Sequence, residues 1–184
     1  LLDAAIERFG ADDGGFHDTA HDAEELYLRP RGDTDTAEPS GQASLAGALV
    51  TYGALTGSPR HLEAGRSAIA AVGSIARQDP RFAGWALAVA EALEAGPLQV
   101  AIVGSDAVAE HLASLARRST SPGLVLAHGA PDEPGQPLLA GRPLVGASSA
   151  AYVCRGFVCD APVTSPAQLA RALALPTPSD AALE

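Results

Sequence analysis

Gly96-Pro97-Leu98-Gln99-Val100-Ala101-Ile102-Val103-Gly104-Ser105 is where the chain changes character. Before it, apolar residues recur three and four positions apart, the spacing of a helix face. Here glycine and proline interrupt that period, and a short apolar run rich in β-branched residues follows, stopped by a second glycine. The run predicts a buried strand. Residues 106–118 return to helical spacing, with Val108, Leu112 and Leu115 expected inward, and Leu124-Val125-Leu126-Ala127-His128 predicts another buried strand. Strand, helix and strand within about thirty residues make a βαβ unit, whose two strands are parallel with a right-handed crossover.

Downstream, residues 129–142 are a Gly/Pro-rich loop, 143–145 and 150–158 predict two further strands, and 165–173 a last helix. The end, 176–184, is expected to fray. Upstream, an amphipathic first helix should stop near Phe9-Gly10, and Ala11-Asp12-Asp13-Gly14-Gly15 is a turn signal. Residues 16–40 lack periodicity; an ordered loop of that length is usually functional. Ser40 is a good N-cap for a helix over 41–56 with a stripe of Leu45, Ala48, Leu49, Tyr52 and Leu55. Gly57-Ser58-Pro59 separates it from a helix over 60–77. Asp79-Pro80 then opens a third over 81–95, with Asp79 as cap. Short connections make these helices antiparallel neighbours. The expected organisation is a helical segment, 1–96, and a small α/β subdomain, 97–175.

The composition is that of an ordinary globular protein, 47% apolar, with no apolar run near the roughly 20 residues that span a bilayer. All 12 basic residues are arginine, which together with abundant alanine points to the coding bias of a GC-rich bacterial genome. The net charge is −10, and most of it lies in the first 38 residues. That sign is the opposite of what a nucleic-acid partner requires. The chain has no Met and starts at Leu1 inside a helix-like pattern, so no signal peptide is expected here. The expectation is a C-terminal piece of a larger, cytoplasmic protein. Two cysteines, Cys154 and Cys159, are too few for a disulfide framework or a zinc site, so free thiols are the default expectation.

Two segments carry a family resemblance. One is Gly15-Phe16-His17-Asp18-Thr19-Ala20-His21-Asp22-Ala23-Glu24-Glu25-Leu26, running on through Arg29-Pro30-Arg31 and Asp33 to Glu38-Pro39-Ser40-Gly41-Gln42. The other is Tyr152-Val153-Cys154-Arg155-Gly156-Phe157-Val158-Cys159 with Ala161-Pro162-Val163. In both, and in their order, the chain resembles the C-terminal region of the thioredoxin-domain-containing family typified by spermatogenesis-associated protein 20. The resemblance implies a parent with an N-terminal thioredoxin-like domain and an (α/α)6 barrel like those of N-acylglucosamine 2-epimerases and six-hairpin glycosidases. The expected fold class is then α plus α/β: the last helical hairpins of the toroid followed by a small α/β tail. Its implied partners are the missing N-terminal part of the same protein and a carbohydrate ligand. Apolar surface left by absent helices would favour self-association.

The acidic loop holds the candidate chemistry. His17, Asp18, His21, Asp22, Glu24 and Glu25 fall within nine residues, followed by Arg29 and Arg31. Sugar chemistry in helical barrels draws on carboxylates and histidines at the mouth, where a pair can act as acid and base. Asp18, His21, Asp22 and Glu25 are the catalytic candidates; His17, Arg29, Arg31 and Trp85 are the candidates for substrate contact. The alternative is that these side chains cap helices and pair within the loop, with Trp85 buried between helices. His17-x-x-x-His21 lacks the glutamate of the zinc-protease motif, and no metal or cofactor is expected. Cys154 and Cys159 lie on opposite faces of an extended strand, so a redox pair would need a turn at Arg155-Gly156. Val103-Gly104-Ser105-Asp106 stands where a strand meets a helix, a place able to bind an anion, though one glycine is not a dinucleotide fingerprint.

Overall fold

The computed structural model describes residues 1–24 and 27–176. It is a mixed helical and sheet protein that divides into two compact units: a helical one, Leu1–Gly53 with Ser58–Ala95, and a sheet one, Ala54–Gly57 with the chain from Gly96 onward. No helix among the described residues is long and apolar enough to cross a membrane.

In the helical unit the elements are α1 (Leu2–Phe9), α2 (Gly41–Thr56, whose last residues belong to the sheet unit), α3 (Pro59–Ala71), α4 (Gly73–Gln78) and α5 (Gly84–Ala95). Ser40 caps α2 as its sequence suggests, its Oγ accepting the Ala43 N–H at 3.1 Å. The buried stripe of α2 is turned from the expected one. Ala43, Ala46, Leu49 and Val50 are buried, whereas Tyr52 is 42% exposed. The cause is close packing on small residues. A Cβ at Gly65 would lie 2.8 Å from Val50 Cγ2 and 3.1 Å from the Ala46 carbonyl, and one at Gly53 would lie 2.5 Å from Leu62 Cγ. The face that reaches α3 is therefore the one whose side chains are smallest. Gly53→Ala should lower stability in urea by about 1–2 kcal/mol, because overpacking against Leu62 exceeds the better helix propensity of alanine.

The single helix expected over 60–77 is broken at Val72, whose N–H bonds back to the Ile69 carbonyl at 3.3 Å. A β-branched residue followed by Gly73 makes this the weakest helical step in the segment. The third helix starts at Gly84, not Arg81, because Pro80–Phe82 forms a 3-10 turn. Its cap is also not Asp79, which instead faces Arg81 at 3.1 Å. Asp35, far away in the loop, supplies it: Oδ2 accepts the Trp85 N–H at 2.7 Å and the Ala86 N–H at 3.4 Å, while Oδ1 accepts the Ser40 N–H at 2.8 Å.

The sheet unit holds β1 (Leu98–Val103), α6 (Ala107–Ala116), β2 (Val125–Gly129), β3 (Ala150–Arg155), β4 (Val158–Cys159) and α7 (Pro166–Ala172). The sheet order is β2-β1-β3-β4; β1 is parallel to β2 and antiparallel to β3, so the βαβ unit read from the sequence is present. Every residue of β1 is buried, because both faces of the sheet are covered. On one face Leu98, Val100 and Ile102 pack with Ala109, Leu112, Ala113 and Leu115 of α6 and Leu169 of α7. On the other, Ala101 and Val103 meet Leu138, Leu139, Tyr152 and Cys154. Val108, expected inward, is 41% exposed: alanines 109, 113 and 116 carry the inner face of α6 and bring it close to the sheet.

Two strand expectations are revised. Residues 143–145 form only an isolated bridge, Val145 to Ser148, and the run 150–158 is a hairpin rather than one strand. Its turn is Gly156-Phe157, with φ of 56° and 65°, one residue beyond the position expected from the sequence. Two consecutive positive φ values are the mark of a type I′ turn, the shape that matches the twist of paired strands. Of the expected frayed tail, only Pro176 lies among the described residues.

Candidate functional site

The acidic loop is ordered chiefly by what it does for its neighbours. A helix leaves its last carbonyls without intrahelical donors. At the end of α1, the Arg8 carbonyl accepts the His21 N–H at 2.8 Å and stands 3.2 Å from His21 Nδ1, with the Arg29 guanidinium at 3.4 Å; the Phe9 carbonyl accepts the His17 N–H at 2.8 Å. Arg29 also donates to the Thr19 carbonyl at 2.6 Å. Its cationic head thus sits at the negative end of the helix. Asp22 pairs with Arg8 at 3.0 Å. Arg31 crosses Gly15 to reach Asp13 and Asp33, each at 2.6 Å. A backbone hydrogen bond from Gly15 and the Arg31 guanidinium hold the Asp13 carboxyl below the usual carboxylate range.

These contacts sort the candidates. His21, Asp22, Arg29 and Arg31 are engaged within the loop and with α1. Trp85 is not buried between helices: it is 52% exposed, and its backbone N–H is engaged by Asp35. A bulky ring has no room on a face packed through glycine and alanine, and Trp85 lies instead over the outside of α2 near Gly47. Glu25 lies outside the described residues. What remains is His17 with Asp18.

Both line a cavity of about 310 Å3, together with Phe9, Phe16, Gln42 and Leu45. Its floor is set by Gln42, buried on α2, whose Oε1 accepts the Phe16 N–H at 2.7 Å and whose Nε2 donates to the Ala68 carbonyl at 2.8 Å. The Asp18 N–H donates to the Pro30 carbonyl at 2.9 Å, which fixes the strand of loop carrying both side chains. The Asp18 carboxylate is exposed and lies over Gly32 and Gly41, where the missing Cβ atoms leave space. His17 Nδ1 is enclosed yet has no hydrogen-bond partner among the described residues. Enclosed polar atoms are normally satisfied. A neutral hydroxyl or amide entering the cavity would satisfy this one. No three His, Cys, Asp or Glu side chains among the described residues are grouped as metal ligands.

The strand–helix junction at Gly104-Ser105-Asp106 also opens on a cavity, of about 270 Å3. Its anion-binding position is already taken by the chain's own carboxylate. Asp106 Oδ1 caps α6 through the Ala109 N–H at 2.9 Å and accepts the Ser149 hydroxyl at 2.8 Å. Those two hydrogen bonds hold its carboxyl below the usual range, so a second anion would meet a standing negative charge.

The cysteines are not free thiols. Cys154 and Cys159 are joined in a disulfide, and the reason is the turn: Gly156-Phe157 folds the segment so that the two residues face one another across β3 and β4, with Cα atoms 3.9 Å apart. Sequence reasoning missed Arg142, a buried guanidinium beside this bond, and it missed Gln42 and Asp35. Gln42 ends the first resemblance segment without standing out in it, and Arg142 and Asp35 belong to no motif. For Gln42 and Arg142 the signal is a polar residue beside glycine and apolar residues; Asp35, among other polar residues, leaves none.

No protein-family model matches the chain, and no curated protein matches it either.

Proposed function

We propose that the helical unit is a carbohydrate-binding part of a six-hairpin glycosidase-like or epimerase-like (α/α)6 barrel, carried by a thioredoxin-domain-containing protein. The observation that supports it best is the enclosed, unpartnered His17 Nδ1 beside Asp18 in a cavity walled by Phe9 and Phe16. A sugar presents C–H faces to aromatic rings and hydroxyls to a few polar groups, and this wall offers both. At about 310 Å3 the cavity is at the small end of ligand sites, which suits one ring and not a chain.

Binding is favoured over catalysis for this unit alone. Glycoside hydrolysis ordinarily takes two facing carboxylates. Among the described residues Asp18 is the only carboxylate in this cavity wall, and Asp22 is turned to Arg8. A non-catalytic binding module is therefore the second reading, favoured by the loop's own ion pairs; a full reaction would need residues from the rest of the barrel.

Titration of the chain with neutral hexoses and N-acetylated hexosamines, followed by NMR, tests this. The expected result is saturable shifts at His17 and Phe16, weakened at least tenfold by His17→Ala or Asp18→Ala and within twofold of wild type in His21→Ala. Shifts at none of these positions across the panel, or equal losses in all three variants, would reject a sugar site here.

A further inference from the structure

The disulfide of the sheet unit has a neighbour that a purely structural crosslink does not need. Arg142 is 7% exposed. One of its nitrogens lies 3.6 Å from Cys154 Sγ and 3.4 Å from Cys159 Sγ; the other donates to the Leu138 carbonyl and, at 3.2 Å, to that of Ala140. Its Nε is buried without a partner, and no carboxylate among the described residues forms an ion pair with it. An uncompensated buried cation costs several kcal/mol. Burial accordingly pushes the guanidinium below its usual range. A disulfide is neutral and offers this charge little. A thiolate in the same place would offer a full counter-charge.

The surroundings allow the exchange. Cys154 is buried, whereas Cys159 lies on the wall of a cavity of about 390 Å3 shared with Arg142, Tyr152, Phe157 and Asp160. The hairpin has a second tether besides the bond. Gln99 accepts the Phe157 N–H at 2.7 Å through Oε1 and donates to the Ala54 carbonyl at 2.6 Å. With that tether kept, two thiols released by opening the bond would still face each other across β3 and β4. The other titratable groups near the bond are Asp160 on the cavity wall, the Tyr152 hydroxyl, bonded to the Pro143 carbonyl at 2.7 Å, and Asp132, which accepts the Gly141 N–H at 2.6 Å. Arg155, next along β3, donates to the Gly96 carbonyl.

We propose that Cys154 and Cys159 are a reversible thiol–disulfide exchange site for a small or protein dithiol, in which Arg142 receives Cys154 as a thiolate. The incoming thiolate attacks Cys159 Sγ through the cavity. A bond forms between the two sulfurs, the Cys154–Cys159 bond breaks, and its electron pair leaves on Cys154 Sγ beside Arg142. The second thiol of the reductant loses its proton and attacks the reductant's own sulfur in the mixed disulfide, expelling Cys159, which takes a proton. The protein gains two electrons, and the dithiol becomes a disulfide. This site is independent of the sugar cavity, and neither stands or falls with the other.

The test uses the chain in buffers of reduced and oxidised dithiothreitol, with the disulfide fraction read by maleimide labelling and the thiolate of the reduced form by absorbance near 240 nm against pH. A thiol beside arginine should ionise at least one pH unit below the usual value of about 8.5. Arg142→Gln should raise that ionisation by a unit or more. It should also shift the exchange equilibrium about tenfold toward the disulfide, equivalent to about 30 mV. If Arg142→Gln does not fold, Cys159→Ala leaves Cys154 alone beside Arg142, and the same titration decides. Ionisation at least a unit below 8.5 supports the proposal. Ionisation above that limit, or a disulfide that dithiothreitol opens only when the chain is unfolded, overturns it.

Discussion

Replacing Asp35 with alanine is expected to destabilise the helical unit by about 3–4 kcal/mol in urea denaturation, a large share of the stability of a small unit. The carboxylate is 6% exposed and accepts hydrogen bonds from the backbone N–H groups of Ser40, Trp85 and Ala86. Loss of a helix N-cap alone costs about 1 kcal/mol. Here the same change also strands the Ser40 N–H, and each buried donor left alone costs about 1–3 kcal/mol. The pH dependence has a definite sign. Burial by itself would raise this carboxyl, but the hydrogen bonds from Ser40, Trp85 and Ala86 outweigh it and hold the group below its ordinary value. A depressed carboxyl contributes stability that is complete above its unfolded value of about 3.9 and is lost as pH falls through the folded value. The gap between wild type and Asp35→Ala should therefore be flat from pH 5 to 8 and should narrow below about pH 4. A gap that widens in acid would show that Asp35 does not act through its charge.

Gln42→Leu is expected to cost about 3 kcal/mol and to blur the cavity as well. The substitution keeps the volume and removes both polar contacts. Phe16 N–H loses its acceptor, and the Ala68 carbonyl, one of the last four of α3 and so without an assured intrahelical donor, loses its own. Two buried groups left unsatisfied at about 1–3 kcal/mol each give the estimate. Chemical denaturation checks the energy, and the NMR shifts of Phe16 and His17 check the cavity. A loss under about 1 kcal/mol with unchanged shifts would mean that the loop is held by its ion pairs and that Gln42 is dispensable.

How legible these features were follows from the kind of signal each leaves. The sheet unit was readable at Gly96-Pro97, because a change from helical spacing to an apolar run is local and strong. The parallel β1 and β2 pair followed from it by topology. The start of α2 was readable for the same reason, since its cap, Ser40, stands next to it. The cap of α5 was not, because Asp35 acts on Trp85 across fifty residues of sequence. The stripe of α2 was misread because hydrophobic periodicity favours large residues, while α2 packs through glycine and alanine. At the candidate site, the acidic loop stood out in composition, but most of its charges serve the end of α1. Only His17 and Asp18 face the cavity. The disulfide was missed because 150–158 reads as one extended strand, which puts Cys154 and Cys159 on opposite faces; the turn at Gly156-Phe157 makes it a hairpin in which they meet.

The end of α1 carries one more consequence. Eight residues are too few to persist as a helix by themselves, and its last carbonyls are held by His17, His21 and Arg29. Helix and returning loop are thus one cooperative segment, since neither retains its hydrogen bonds when the other opens. Phe9 from the helix and His17 from the loop both line the same cavity. Opening of that segment would dismantle the cavity as it releases the helix. Any molecule held there would bind only the closed form, so the protection of α1 backbone amides from exchange would report on its occupancy.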